Sequence, residues 1–268
     1  RGTSRDTWNG FGKREGHYGV FCKRRSGRGM PCARVPWVIE HGGAAEMAMD
    51  KYTVIVSGGA LDEDFALRVL GDGHTEFIIA ADGGLLFLYN HGIKPDYIVG
   101  DFDSAPSDVV SYYREQVNVP IRQYDPVKDF SDTEIALRLC LSLGRKRIMI
   151  LGGTGSRVDH VWSNVQILKI ALDAGAEAVL LDPHNRIRLL KRGITLERSR
   201  AFGTYFSVFP LGPTVECFSI KGAKYPLTNH ALTPYDSLCV SNEYADDEVE
   251  ISFPEMLDNV VVLMETRD

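Results

Sequence analysis

From Lys51 onward, short apolar runs alternate with segments of helical pattern, and this rhythm constrains the fold more than any other feature of the chain. "YTVIVSGG" reads as a buried strand ending in glycines, and "DEDFALRVLG" as a helix closed by Gly71. "EFIIAADGG" is a second strand, "LLFLYNHG" a short helix, "DYIVGDFDS" a third strand, and "PSDVVSYYREQ" a helix with Pro106 near its start. "SDTEIALRLCLSLG" carries a capping box, Ser131 at the N-cap with Glu134 three residues on, and closes at Gly144. "RIMILGGTG" is a strand, "DHVWSNVQILKIALDAG" a helix and "AEAVLLD" a strand. Strands that are apolar on both sides and alternate with helices predict a parallel sheet covered on both faces.

The pattern changes near "DPHN". "NRIRLLK", "TYFSVFPLG", "TVECFSIKG", "SLCVSNEY", "EVEISF" and "NVVVLMET" are short strand-like runs separated by Gly, Pro, Asn and Asp, with no helical stretch between them. They predict a small all-β sandwich or barrel. The expected organisation is an α/β domain over residues 49–183 and a β-sandwich over 184–268, preceded by a leader over 1–48.

That leader differs in composition from the rest. Residues 1–46 carry nine Lys/Arg against four Asp/Glu, a net of +5 within a chain of net −6, and nine of its 26 glycines. It shows neither helical nor strand periodicity, and it lacks the Ser-rich amphipathic character of a transit peptide. We read it as a disordered or non-native extension, with native translation starting at Met47 or Met49, and expect its removal to leave activity unchanged. The remaining chain is acidic, which argues against nucleic acid as a partner. No apolar run reaches membrane-spanning length. Five cysteines (Cys22, Cys32, Cys140, Cys217 and Cys239) are scattered without metal-knuckle spacing, which fits a reducing, cytoplasmic setting.

In an open parallel sheet, ligands bind beyond the carboxyl ends of the strands. The residues following each expected strand therefore outline a site. Ser57, Gly58 and Gly59 follow the first, Asp82, Gly83 and Gly84 the second, and Asp101, Asp103 and Ser104 the third. Lys128, Asp129 and Asp132 precede the capped helix, and Gly152, Gly153, Thr154, Gly155, Arg157, Asp159 and His160 follow "RIMIL". Glycines let backbone N–H groups approach phosphate, aided by the helix N-terminus that follows. Carboxylates suit Mg²⁺, a hard cation held by one or two of them plus phosphate oxygens. Arg157 offers a planar fork and Lys128 a point charge. The edge reads as a site for a metal-bound polyphosphate, although neither a P-loop nor a GxGxxG turn after a strand is present.

Some of these residues have simpler explanations. A DGG is commonly a turn, Asp129 and Asp132 stabilise a helix N-terminus wherever one occurs, and His160 fits a polar helix start. Asp101 and Asp103 are different. On an extended strand they share one side, and two adjacent like charges call for something positive between them. Metal ligation is the reading that accounts for the pair.

The runs "AADGGLLFLYNHGIKPDYIVGDFDS", "VKDFSDTEIAL" and "GGTGSRVDHVWSN", followed by "VFPLG", "KGAKYPLTNHAL" and "SLCVSNEY", resemble those of thiamine pyrophosphokinases in content and order, from about Thr53 to the end. Ser131, Ser156 and Tyr225 depart from the commoner Thr, Gly and Trp of that family. The resemblance implies a Rossmann-like nucleotide domain followed by a β-sandwich, and transfer of the pyrophosphoryl group of ATP to the thiamine hydroxyl. It implies Asp101, Asp103 and Asp132 as ligands of a Mg²⁺ cofactor, and these three with Arg157 as catalytic residues. Asp82, Gly83, Gly84, Lys128, Asp129, Gly153, Thr154, Arg157, Asp159 and His160 would line the ATP and phosphate site. Tyr225 would face the cationic thiazolium of thiamine, with Ser237, Ser241 and Asn242 as polar contacts. It also implies a homodimer with thiamine at the subunit interface. Rival readings are a diphosphokinase for another hydroxymethyl compound such as a pterin, a nucleotide sensor without turnover, and an α/β scaffold with an interaction domain. "GAKYPL" and "SNEY" favour thiamine over a pterin, and the retained acidic residues speak against a sensor.

Overall fold

The computed structural model describes residues 51–102, 106–123 and 130–268. In chain order these form β1 (Tyr52–Val56), α1 (Glu63–Leu70), β2 (Thr75–Ala81), α2 (Gly84–Asn90), β3 (Tyr97–Gly100), α3 (Ser107–Ser111) running into a π-helical turn (Tyr112–Val117), and β4 (Ile121–Gln123). Then come α4 (Asp132–Ser142), β5 (Arg147–Leu151), α5 (Val158–Asp173) and β6 (Glu177–Leu181). The remainder is β7 (Asn185–Leu190), β8 (Ile194–Glu197), β9 (Tyr205–Pro210), β10 (Val215–Lys221), β11 (Leu227–Leu232), β12 (Asn242–Glu243), β13 (Glu248–Ser252) and β14 (Val261–Thr266), with one 3₁₀ turn at Arg198–Arg200. The expected leader over 1–48 lies outside the described residues.

Local chemistry explains the helix boundaries. The Asp62 carboxylate accepts the Phe65 N–H at 2.8 Å and starts α1, and Gly71 ends it. The Ser131 hydroxyl accepts the Glu134 N–H at 3.2 Å and starts α4. Glu134 turns away from the expected capping box to pair with Arg138 at 2.7 Å, one turn along the helix.

Strands β1 to β6 are mutually parallel in the order β4-β3-β2-β1-β5-β6. Alternate residues feed two cores. Ile55, Ile79, Val99, Ile148 and Ile150 meet α4 and α5 through Ile135, Cys140, Val165 and Leu168. Tyr52, Val54, Val56, Ala80 and Ile98 meet α1, α2 and α3 through Ala66, Leu85, Leu88 and Val109. The sheet is thus covered on both faces, as its apolar strands require.

The antiparallel part does not form an independent sheet pair. β7 turns back on β6, guided by Asp182, whose Oδ1 accepts the N–H groups of His184 and Asn185 at 2.7 Å each. β14, β9 and β12 continue outward, giving one ten-stranded sheet of order β12-β9-β14-β7-β6-β5-β1-β2-β3-β4. A second sheet, β11-β10-β13-β8, packs on this extension. Leu196, Val215, Phe218, Ile220, Val249 and Ile251 meet Phe206, Val208, Val261 and Leu263 across the resulting sandwich core. The fold is therefore a mixed α/β sheet plus an antiparallel sheet, with one layer of the sandwich shared with the α/β part.

Three strands escape the sequence pattern. β4 is short and polar, β8 follows directly on β7, and β11 is broken by Asn229, whose φ is +52° and whose N–H goes to the Ser219 hydroxyl at 2.9 Å. Conversely, "SLCVSNEY" is not a strand. The Val240 N–H bonds to the Ser237 carbonyl at 3.2 Å and Ser241 has φ +54°, so a turn occupies most of the run. Only Asn242 and Glu243 pair with β9.

Candidate active site

The chain runs from β1 outward to β4 and then crosses back to place β5 on the other side of β1. This reversal makes the carboxyl ends of β1 and β5 the topological switch point, where open α/β sheets bind ligands. The two loops there are bonded to each other. The Ser57 N–H donates to the Leu151 carbonyl at 2.8 Å, and the Gly59 N–H to the Gly152 carbonyl at 3.1 Å. Gly152 has φ +68°, and a Cβ there would lie 2.4 Å from the Ser57 carbonyl oxygen. At Gly84 a Cβ would lie 2.0 Å from the Val56 carbonyl oxygen. The glycine richness at these two positions serves close packing of backbone on backbone.

Two buried polar contacts hold the site together, and neither stands out in the sequence. The Ser57 and Thr133 hydroxyls meet at 2.9 Å, anchoring the first turn of α4 to the end of β1. The Asn164 amide on α5 donates to the Gly153 carbonyl at 2.7 Å and fixes the loop after β5. A buried Asn one and a half turns into a helix that follows a glycine loop is the only sequence signal for the second.

Around this frame the structure assembles most of the expected nucleotide-site residues. Asp82 takes a left-handed conformation (φ +45°), with its N–H on the Val99 carbonyl at 3.0 Å and its own carbonyl receiving the Leu85 N–H at 3.0 Å. Gly83 and Gly84 follow it into α2. Asp101 is half-buried just beyond β3, and Asp132 is half-buried at the first position of α4. Gly153 is buried and Thr154 half-buried, while Arg157, Asp159 and His160 are exposed around the start of α5.

Arg157 engages Asp159 with two hydrogen bonds, Nη2 to Oδ2 at 2.6 Å and Nε to Oδ1 at 3.3 Å. That pairing raises the Arg157 guanidinium above its ordinary value and lowers the Asp159 carboxyl below its own. Both side chains are about two-thirds exposed, at 69% and 65%, so the fork can exchange partners at little cost.

Asp103, Lys128 and Asp129 lie outside the described residues. The strand argument for pairing Asp101 with Asp103 needs correction. β3 ends at Gly100 and Phe102 has φ +62°, so extended alternation stops before Asp103 is reached. Among the described residues no three acidic, His or Cys side chains form a metal-sized cluster. The carboxylates that are described at this edge, Asp82, Asp101 and Asp132, offer only oxygen donors, which fits a hard divalent cation.

The other expected residues form a second group on the antiparallel part. Asn242 is buried, and its Oδ1 accepts the N–H groups of Tyr225 and Glu243 at 3.0 and 2.9 Å while its Nδ2 donates to the Tyr225 carbonyl at 2.9 Å. Its amide is committed to the backbone and braces Tyr225, whose ring stays 54% exposed. Lys224 sits 5.5 Å from that ring and pairs with Glu243 at 2.5 Å. The Ser241 N–H donates to the Ser207 hydroxyl at 3.0 Å, and Ser237 is exposed in the preceding turn.

A doubly covered sheet with acidic and basic groups at its switch point, joined to an antiparallel module with an exposed aromatic face, defines an α/β ligand-transforming enzyme with an added β module. The chain belongs to the thiamin pyrophosphokinase family. Residues 73–180 match the model for the thiamin pyrophosphokinase catalytic domain, and residues 192–257 that for the thiamin pyrophosphokinase vitamin B1 binding domain. The thiamine pyrophosphokinase of Bacillus subtilis (strain 168) is 29% identical over 214 residues, spanning 80% of this chain and 98% of its own. The B. subtilis crystal structure superposes with a TM-score of 0.71 at 28% identity, covering 81% of this chain and 100% of that one. The Geobacillus thermodenitrificans structure gives 0.68 at 30% identity, with 81% and 98% covered.

Proposed function

We propose that the carboxyl edge around β1 and β5 holds ATP and that the group around Tyr225 holds thiamine, so that this enzyme of the thiamin pyrophosphokinase family makes thiamine diphosphate with release of AMP. The observation that supports the placement is that Asp82, Asp101, Asp132 and Arg157 all follow the carboxyl ends of parallel strands, along the one sheet edge that contains the switch point. The family-model boundaries support the division of labour, since the catalytic match ends at residue 180 and the B1-binding match begins at 192.

The reaction needs in-line placement of the thiamine hydroxyl on the β-phosphorus of ATP and neutralisation of the triphosphate, more than a strong base. Asp101, Asp103 and Asp132 would hold Mg²⁺, which when bound supplies charge neutralisation for the phosphates. The rest falls to side chains of this chain. Arg157 leaves Asp159 to fork two phosphate oxygens, and Lys128 adds a point charge. The backbone of Gly153 and Thr154, held by Asn164, contacts the phosphate chain, and Asp82 with Gly83 and Gly84 borders the nucleotide. Asp129 and His160 flank the phosphates at the helix starts. Tyr225 covers the cationic ring of thiamine, with Ser237 and Ser241 bonding its polar groups and Asn242 acting through Tyr225. We further propose a homodimer in which the thiamine group of one subunit faces the nucleotide edge of its partner, a cytoplasmic location, and domain limits of 49–183 and 184–268. No described helix is long and apolar enough to cross a membrane.

The deciding experiment is an assay of purified protein with ATP and Mg²⁺, with and without thiamine, reading AMP and thiamine diphosphate by mass. Thiamine-dependent AMP with the diphosphate product supports the reading. AMP only with a pterin alcohol, or none with either acceptor, overturns it.

A further inference from the structure

The turn that carries Ser237 is tied down in an unusual way. His230 on β11 and Asp236 in the turn lie with Nε2 and Oδ2 3.0 Å apart. The other oxygen, Oδ1, accepts the Leu238 N–H at 2.8 Å. Ser237 therefore sits between the two residues that one carboxylate clamps. The neighbours on the turn bring little burial to it, with Tyr235 95% and Leu238 56% exposed. Two backbone bonds shape it, from the Asp236 N–H to the Thr233 carbonyl at 3.3 Å and from the Val240 N–H to the Ser237 carbonyl at 3.2 Å. It joins the rest of the fold again at buried Cys239, whose carbonyl takes the Val208 N–H at 3.2 Å. His230 itself is set by the pairing of β11 with β10, where it lies opposite buried Phe218.

The direction of the bond follows from the charge state. The Asp236 carboxyl titrates below the ordinary aspartate range; burial pushes it up, but the hydrogen bonds from His230 and the Leu238 N–H outweigh that. An ionised carboxylate only accepts, so Nε2 carries the proton and donates.

We propose that His230 is a positioning residue for Ser237: through Asp236 it fixes the turn so that the Ser237 hydroxyl meets the thiamine substrate without prior ordering. This rests on the assignment of Ser237 to the thiamine group made above. An unpinned turn loses rotational order on that hydroxyl and must recover it on binding, a cost borne by thiamine affinity and not by ATP.

The test is steady-state kinetics of the full chain carrying His230→Ala, His230→Gln, Ser237→Ala and the His230→Ala/Ser237→Ala pair. His230→Ala raises the thiamine KM roughly tenfold, the worth of one well-made hydrogen bond, with kcat and the ATP KM within about twofold. His230→Gln restores the parent KM, because a glutamine amide nitrogen reaches the position of Nε2. The double variant is no worse than Ser237→Ala, as expected when one residue acts only through the other. If Ser237→Ala raises the thiamine KM and His230→Ala does not, or if His230→Ala lowers kcat and raises both KM values together, the positioning role is overturned while the thiamine assignment stands. An unchanged KM in Ser237→Ala overturns that assignment and this inference with it.

Discussion

The hydroxyls of Ser57 and Thr133 meet at 2.9 Å in the protein interior, joining the end of β1 to the first turn of α4 across 76 residues of chain. Asp132 precedes Thr133 directly, so this bond also sets where its carboxylate stands at the nucleotide edge. Thr133→Val keeps the shape but strands the Ser57 hydroxyl, and it should cost about 1–3 kcal/mol in urea unfolding. The double variant with Ser57→Ala removes both polar partners and should recover part of that loss. A double variant less stable than either single one would show that the two hydroxyls do not satisfy each other.

Asn164 and Gly153 form the second such tie. Asn164→Ala leaves the buried Gly153 carbonyl without its 2.7 Å partner. We expect a loss of about 1–3 kcal/mol in stability and an increase in the ATP KM, with the thiamine KM little changed. Equal effects on both KM values would detach this loop from the phosphate site.

Asp101→Asn and Asp103→Asn each remove a negative charge from the proposed metal site. Turnover should fall by about a thousandfold or more, the scale of losing a main electrostatic group of a reaction centre. The thermal midpoint should change little, since the asparagine keeps the shape of the side chain and Asp101 lies just beyond β3, outside the cores of the sheet. Near-normal activity of both variants would remove the metal assignment.

Glu265 is buried on β14 between two arginines of β7. Its carboxylate pairs with Arg186 at 2.5 and 2.8 Å and lies 3.6 Å from Arg188. Arg188 is itself buried, and desolvation lowers its hold on the proton, opposed mainly by Glu265. Glu265→Gln leaves Arg188 with only Glu177, 3.8 Å away and partly exposed, and should destabilise the fold by about 2–4 kcal/mol. A loss under about 1 kcal/mol would mean water or another acid takes over the pairing.

The lowered Asp236 carboxyl carries a pH signature. A group whose folded value lies below its unfolded one stabilises the fold above the unfolded value, near 3.9 for aspartate. The contribution is then lost as the pH falls through the folded value. The stability gap between the parent and Asp236→Asn should therefore shrink as the pH falls below about 4. Chemical unfolding between about pH 5 and 3 reads the gap directly, and a gap that widens below about pH 4 would reverse the assignment.

Much of this protein is set by chemistry that acts over a few residues. Apolar runs of four to seven residues, Ser131 and Asp62 as helix caps, and Gly71 at a helix end each act on their immediate neighbours, so β1, β2, β3, β5 and β6 and their helices are legible one after another. The placing of Asp82, Asp101 and Asp132 at one edge follows from the same local logic, because consecutive parallel strands all end on the same side. β4 was not legible, being too short and polar to show a period, β8 has only four residues close behind β7, and β11 is interrupted at Asn229. The turn at 237–241 resembled a strand because Leu238, Cys239 and Val240 form an apolar run although only Cys239 is buried.

What only the tertiary structure decided is which distant pieces meet. The return of the chain to put β5 beside β1 creates the switch point, and the turn of β7 onto β6 lets the sandwich share a layer with the α/β sheet. The bonds of Ser57 to Thr133, Asn164 to Gly153, Asn242 to Tyr225 and His230 to Asp236 join elements brought together by that arrangement. A short polar side chain is compatible with many partners, and burial against one of them is what selects it. That selection depends on how strands order and faces pack, a property of the whole core and not of any stretch of residues.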